Sequence, residues 1–260
     1  MWRVTVCLFD WTGKLLGTFV PYASSLDPEL QIRQMEASRD TKKALEIAKE
    51  IVKAKSERML EAAQEWGNPI ALERVHDAHP ISKARTVKDA RAIEAAVTVA
   101  YWDEFRSELK RRWPEARFKV RGHPTHGYKM KAVEPVNAAL NYAYSLLEAK
   151  ARTNLARVGL SPYFGFLHST LPKKEPAVYD LQEYERTEMD RAVLDVLSDL
   201  TIQREGFVKL DNWTSRLARP ASRKVVEAVS SALNRSVPKG TVDGRFYREA
   251  IELRQMLIAP

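Results

Sequence analysis

A chain of 260 residues with 45% hydrophobic content can bury a core of its own, and it holds no apolar run of roughly eighteen residues that would cross a bilayer as a helix. A single cysteine, Cys7, excludes an intrachain disulfide framework and a cysteine-rich zinc cluster. Lys and Arg exceed Asp and Glu by 42 to 34, a net charge of +8, which favours an anionic partner.

In chain order, Val4 to Phe9, a turn over Asp10-Trp11-Thr12-Gly13, and Leu15 to Val20 read as a β-hairpin. The opening residues alternate like a strand where a signal peptide has a longer apolar core, so a cytoplasmic protein is expected. A lone hairpin is marginal in water and needs something to pack on. After Pro21 the periodicity becomes helical and is expected to stay so to the end, giving a mainly α chain with a short hairpin (1–22) ahead of a helical domain (23–260). Asp27-Pro28 opens a long helix over about Glu29 to Glu65, which stops at Gly67-Asn68-Pro69. A shorter helical piece follows. Thr86 caps a helix over Val87 to Arg112 whose apolar stripe is Ala90, Ile93, Val97, Ala100 and Tyr101, with Glu94 set inside it. Pro135 starts the next helix, and Gly159 ends it. Residues 160–176 form a loop carrying His168. One helix over Ala177 to Ile202 then carries Asp180 and Glu183, and two more are expected over Ala221 to Asn234 and Asp243 to Leu257.

The positive charge is clustered. Between Lys110 and Lys131 lie Lys110, Arg111, Arg112, Arg117, Lys119, Arg121, Lys129 and Lys131 against one acid, Glu115, with Trp113, Phe118 and Tyr128 among them. Cations interleaved with aromatics suit flexible nucleic acid, although a solvated helix end and loop has the same composition. A second basic stretch runs from Gln203 to Lys224.

Asp180 and Glu183 are one helical turn apart, so their carboxylates share a face and can converge on a hard cation. His168 comes from the preceding loop, and Glu94, an acid among apolar residues, calls for a compensating cation. By residue type alone the pair is also a solvated helix face, His168 a hydrogen-bonded loop histidine, and Glu94 a partner for Arg or Lys. Two His-x-x-His pairs, His76/His79 and His123/His126, lack a third ligand and are not taken as sites. No phosphate-binding glycine loop and no Gly-x-Ser-x-Gly elbow is present, which removes kinase, hydrolase and dehydrogenase readings.

Four separated pieces carry a resemblance. They are Ile93-Glu94 followed by Tyr101-Trp102; Pro135-Val136-Asn137-Ala138-Ala139-Leu140-Asn141-Tyr142; Gly159-Leu160-Ser161-Pro162-Tyr163-Phe164-Gly165-Phe166-Leu167-His168; and Tyr179-Asp180-Leu181-Gln182-Glu183 with Arg186 and Asp190-Arg191. In order and spacing the chain resembles the CRISPR spacer-acquisition integrase family. The resemblance implies that Glu94, His168 and Glu183 bind Mn²⁺ or Mg²⁺, with Asp180 beside them as a supporting acid of the catalytic group. It implies endonuclease and integrase activity on DNA, in which a 3′-hydroxyl end attacks a phosphodiester of the CRISPR repeat by direct transesterification; branched DNA is a further substrate. Arg117, Lys119, Arg121, Lys129 and Lys131 would contact DNA, mainly through phosphates. A homodimer and a small companion protein are the implied protein partners, and no membrane is. The family has a complete β-domain ahead of its helices, so residues 1–22 are expected to be the last hairpin of one. Ala95 stands where the family commonly has glycine. Two rival readings share these residues: a non-catalytic DNA-binding scaffold relative, and a stand-alone integrase of a mobile element.

Overall fold

The structure is a computed structural model that describes residues 6–9, 15–19, 27–67, 69–119, 121, 132, 134–209 and 215–258. Strands β1 (Val6–Phe9) and β2 (Leu15–Phe19) pair antiparallel, with an irregularity between Leu8 and Phe9. Val6, Leu8, Leu16 and Phe19 of this hairpin are all exposed, so these four apolar side chains are largely uncovered by the described residues.

Helices follow: α1 (Pro28–Arg39), α2 (Thr41–Trp66), α3 (Ile70–Ala78), a 3-10 turn (Ile81–Lys83), α4 (Val87–Arg112) and α5 (Pro135–Val158). The chain continues through α6 (Pro176–Gln182), α7 (Arg186–Leu197), α8 (Leu200–Glu205), α9 (Arg219–Asn234) and α10 (Val242–Ile258). The architecture is mainly α, as the periodicity implies. No helix among the described residues is long and apolar enough to cross a membrane.

The ends of α4 and α5 follow local chemistry. The Thr86 hydroxyl accepts from Asp89 N–H while the Asp89 carboxylate accepts from Thr86 N–H, a reciprocal cap. Gly159 closes α5 at φ 81°, in the left-handed region that glycine enters without strain.

Three expectations are corrected. The helix expected over Glu29 to Glu65 is two helices, because Asp40 leaves the helical region (ψ 117°) and its carboxylate accepts from Lys42 N–H and Lys43 N–H to cap α2. The helix expected over Ala177 to Ile202 is three, α6 to α8, interrupted after Gln182 and again at Asp199, which caps α8. The tail is not wholly helical: β3 (Phe207–Lys209) pairs with β4 (Ser215–Leu217), and β5 (Ser236–Val237) with β6 (Gly240–Thr241).

The core has two connected parts. Ile47 and Ile51 of α2 are buried in the core, and α2 packs on α4, whose Tyr101 and Phe105 join Trp66, Trp102 and Phe118 in a mostly edge-to-face aromatic cluster. Leu140, Leu147 and Leu155 of α5 lie within the second part, where α5 is packed by α6, α7, α9 and α10.

Candidate metal centre

Among the buried polar side chains, those around Lys55 include three of the candidate residues or their partners. Lys55 of α2 is 4% exposed, and its ammonium pairs with Glu94 Oε1 of α4 and lies 2.6 Å from Glu183 Oε2, just after α6. Its position follows from the helix: Ile51 and Met59, one turn either side, are both buried, so residue 55 must also point inward. Thr98, one turn along α4, donates to Glu94 Oε1 at 2.9 Å. Arg186 Nη1 donates to the other Glu183 oxygen at 2.5 Å. Burial works against charge on Glu183, but Arg186 and then Lys55 outweigh it and hold its carboxyl at about 2.

Asp180 does different work from Glu183. Fully buried, its carboxylate accepts from the backbone N–H groups of Phe166, Leu167 and His168, and Oδ1 stands 2.7 Å from His168 Nδ1. The two acids are a turn apart as the spacing requires, yet their carboxylates diverge, one to the loop and one to Lys55. Burial disfavours the imidazolium of His168, but its hydrogen bond to Asp180 and the charges of Asp180 and Glu183 raise its pKa on balance.

Further contacts hold the loop. Arg91, one turn before Glu94, donates through Nε to Leu167 O at 2.5 Å and through Nη2 to Ser169 Oγ at 2.6 Å. The buried Gln34 amide of α1 donates to Ser161 O and Phe164 O and accepts from Ser161 N–H. A Cβ at Gly165 would stand 2.6 Å from Pro176 Cβ, so only glycine fits between the loop and α6.

Below Glu183, the Arg186 and Arg121 guanidiniums lie 4.5 Å and 4.9 Å from the centre of the Tyr144 ring. The Tyr144 hydroxyl donates to the buried Asp190, as does that of Tyr101 at 2.8 Å. Burial raises the Asp190 pKa, with both hydroxyls pulling against it.

Glu94, His168 and Glu183 are thus brought to one region. Among the described residues, no three His, Cys, Asp or Glu side chains gather into a ligand cluster. Lys55 stands between two of the candidates. The donor set nonetheless fits a hard or borderline divalent cation: two carboxylates, and an imidazole whose Nε2 edge is left over once Nδ1 is engaged. The lodged ammonium identifies the place as one that draws positive charge. His168, with 42% of its side chain exposed, and Glu94, with 23%, give it an open side.

Sequence reasoning missed Lys55 and Arg91. The signal for Lys55 was available, a cation inside the apolar stripe of α2, just as Glu94 is an acid inside that of α4.

Of the candidate DNA contacts, Arg117 and Lys119 are exposed, whereas Arg121 is tethered to Asn137 and to the Tyr144 ring. Lys129, Lys131, Tyr128 and the His123/His126 pair lie outside the described residues. The expected aromatic interleaving is corrected for its other two members: Phe118 is buried against Trp102 and Phe105, and Trp113 stacks on Phe207. Arg111 and Arg112 pair with Glu108, which reduces the free charge of the segment.

The sequence matches the family described as CRISPR associated protein Cas1 over residues 2–231. It is 28% identical over 201 residues to a CRISPR-associated endonuclease Cas1 of Pyrobaculum aerophilum, covering 75% of this chain and 63% of that protein. A second such endonuclease, from Methanospirillum hungatei, is 26% identical over 97% of this chain and 76% of its own length. The fold superposes on a casposase bound to integration product with a TM-score of 0.79 and 29% identity, covering 98% of this chain and 75% of that one. With the match running through every element that builds the Lys55 centre, the chain belongs to the CRISPR-associated Cas1 family.

Proposed function

We propose that this protein is a divalent-metal-dependent DNA endonuclease and integrase that joins a DNA 3′-hydroxyl end to a target phosphodiester, as in CRISPR spacer acquisition. The observation that carries the reading is the pairing of Glu94 and Glu183 on one buried ammonium beside an imidazole fixed by Asp180. The likeness to Cas1 endonucleases and to a casposase holding an integration product supports it.

Glu94, Glu183 and Nε2 of His168 would hold Mn²⁺ or Mg²⁺, which supplies charge to phosphate oxygens and acidifies a bound hydroxyl. The chain's own residues prepare the place. Asp180 fixes the imidazole so that Nδ1–H donates to it and Nε2 keeps its lone pair. Arg186 and Lys55 keep Glu183 ionised across the neutral range. The 3′ oxygen forms its bond to phosphorus as the bond to the leaving strand breaks, so no protein side chain becomes covalently attached. Arg117 and Lys119, with Lys129 and Lys131, would hold DNA through phosphates, while Arg121, engaged by Asn137 and the Tyr144 ring, would steady the wall beside them. A second copy of the chain, a small companion protein and the CRISPR repeat are the partners this reading brings.

The test is joining of a labelled 3′-hydroxyl DNA end to a target duplex with and without Mn²⁺, for the parent, His168→Ala and Glu183→Ala. The expected result is Mn²⁺-dependent product from the parent and none from either variant, with helical circular dichroism and DNA affinity retained. Equal yield from all three removes these residues from the reaction, and a parent inactive with every metal favours the scaffold reading. The casposase likeness also favours a second reading, integration without a CRISPR repeat, which a repeat-free target distinguishes.

A further inference from the structure

Glu183 stands at a break between helices, and the residues that follow it are held by partners distant in sequence. It ends α6, and Glu185 precedes α7 without capping it through its side chain. The fully buried Glu185 carboxylate is spent on two arginines instead. Arg245 of α10 engages both of its oxygens, Nε to Oε1 at 2.8 Å and Nη2 to Oε2 at 2.7 Å, and Arg58 Nη1 lies 3.4 Å from Oε1. Arg58 also donates to the Tyr184 carbonyl, and its Nη2 pairs with Glu249 of α10. One face of α2 therefore meets the break twice, through Lys55 to Glu183 and, a turn later, through Arg58 to Tyr184 and Glu185. α10 supplies the remaining contacts, although the family match ends at residue 231, ahead of that helix.

A carboxylate held at both oxygens by a planar guanidinium is fixed in direction as well as in place. Residue 185 is at most about 7 Å of chain from residue 183, so pinning one restricts where the other can point. We propose that Arg245 and Arg58, the latter braced by Glu249, are positioning residues for the DNA-joining reaction, holding the break after α6 so that Glu183 is presented toward Glu94 and His168. The inference rests on the metal-dependent reading and deepens it. These side chains act through Glu185 and the Tyr184 carbonyl.

The test is calorimetric titration of the full chain with Mn²⁺, beside joining rates over a series of DNA-end concentrations. Parent, Arg245→Lys, Arg245→Met, Glu185→Met/Arg245→Met and Arg254→Met are compared, with circular dichroism and thermal melting as fold controls. The double variant removes both charges together, so it decides where Arg245→Met fails to fold. Arg254, the α10 residue 3.8 Å from Asp27, controls for general loosening of the helix. Mn²⁺ affinity is expected to fall about tenfold in Arg245→Met and in the double variant, and less in Arg245→Lys, which keeps the charge and loses the fork. Joining at saturating DNA should fall in step, the half-saturating DNA concentration should hold, and Arg254→Met should match the parent. Loss of a nearby cation by itself favours Mn²⁺, so tighter binding by Arg245→Met overturns the proposal. Parental Mn²⁺ affinity in the double variant gives Arg245 a role in stability alone and overturns it, as does an equal loss in Arg254→Met. These outcomes leave the metal-dependent reading standing, whereas a parent that does not bind Mn²⁺ overturns both.

Discussion

Lys55 Nζ lies 2.6 Å from Glu183 Oε2 while also pairing with Glu94, so one buried ammonium compensates two carboxylates from different helices. A cation in that position both holds the acids together and competes for them with any other cation. Lys55→Met, close in volume, should lower metal-free stability by about 3–5 kcal/mol at neutral pH, because it leaves buried charge unpaired. The same variant should bind Mn²⁺ more tightly and gain more melting temperature from it than the parent does. Urea unfolding and calorimetric titration with and without Mn²⁺ check both; weaker Mn²⁺ binding would show that Lys55 organises the acids and does not compete for them.

Asp180 receives three backbone N–H groups and the His168 ring, which makes it the anchor of the loop. Asp180→Asn keeps the shape but trades a charged acceptor for an amide, at a cost of roughly 2–3 kcal/mol in unfolding free energy. Metal affinity should fall about 10–100-fold through misorientation of His168. Parallel urea unfolding and Mn²⁺ titration measure the two effects.

Much of this was legible in the sequence, and the losses have identifiable causes. Thr86 and Gly159 marked helix ends because capping is decided within a few residues. Asp40 did not, since apolar periodicity continues on both sides of it and Asp among Arg39, Lys42 and Lys43 also reads as a solvated helix face. The breaks after Gln182 fall where side chains answer to distant partners: Arg58 to the Tyr184 carbonyl, and Arg245 to Glu185. Glu94, His168, Asp180 and Glu183 stood out by type and order. The division of labour between the last two depends on where loop 160–176 lies, which spacing alone does not contain.

Glu249 of α10 is 6% exposed and pairs with Arg58 of α2. Burial pushes its carboxyl up to about 8; Arg58 pulls it down, and Glu185 adds to the rise. The native pKa is above the unfolded one, so the native state binds the proton more tightly. Its contribution to stability is complete below about 4.5 and declines as pH rises toward about 8, beyond which it is flat. Stability of the parent should therefore fall across that window, and Glu249→Gln should flatten the decline. Urea unfolding at pH 5, 7 and 9 decides, and parallel curves for the two proteins would exclude Glu249 as the source.

Arg117 and Lys119 are the exposed members of the basic segment. Arg117→Ala/Lys119→Ala should weaken duplex DNA binding and reduce the salt slope by about 2, without changing Mn²⁺ affinity. Arg121→Ala should instead alter the Tyr144 and Asn137 contacts and lower stability. Fluorescence anisotropy across a salt series, beside thermal melting, separates the two classes.

The hairpin exposes Leu16 at 66% and Phe19 at 64%, apolar surface of the kind a partner covers. A second copy is the expected cover, and Leu16→Asp/Phe19→Asp should convert dimer to monomer with helical circular dichroism intact. Light scattering over a concentration series reads this directly, and a parent that is monomeric throughout excludes it.

The centre is also balanced in charge half by half. Lys55 and Glu94 are 39 residues apart and sit on α2 and α4, which pack together, while Glu183 comes 89 residues after Glu94 and brings Arg186 one turn behind it. Each half is electrically neutral before the two meet. Lys55 has an acid on the neighbouring helix and Glu183 has its own cation, so bringing the two halves together adds no unpaired charge from these four groups. Closing the longer loop costs more chain entropy, and the place is complete only when the segment carrying Glu183 and Arg186 lies against the α2–α4 pair.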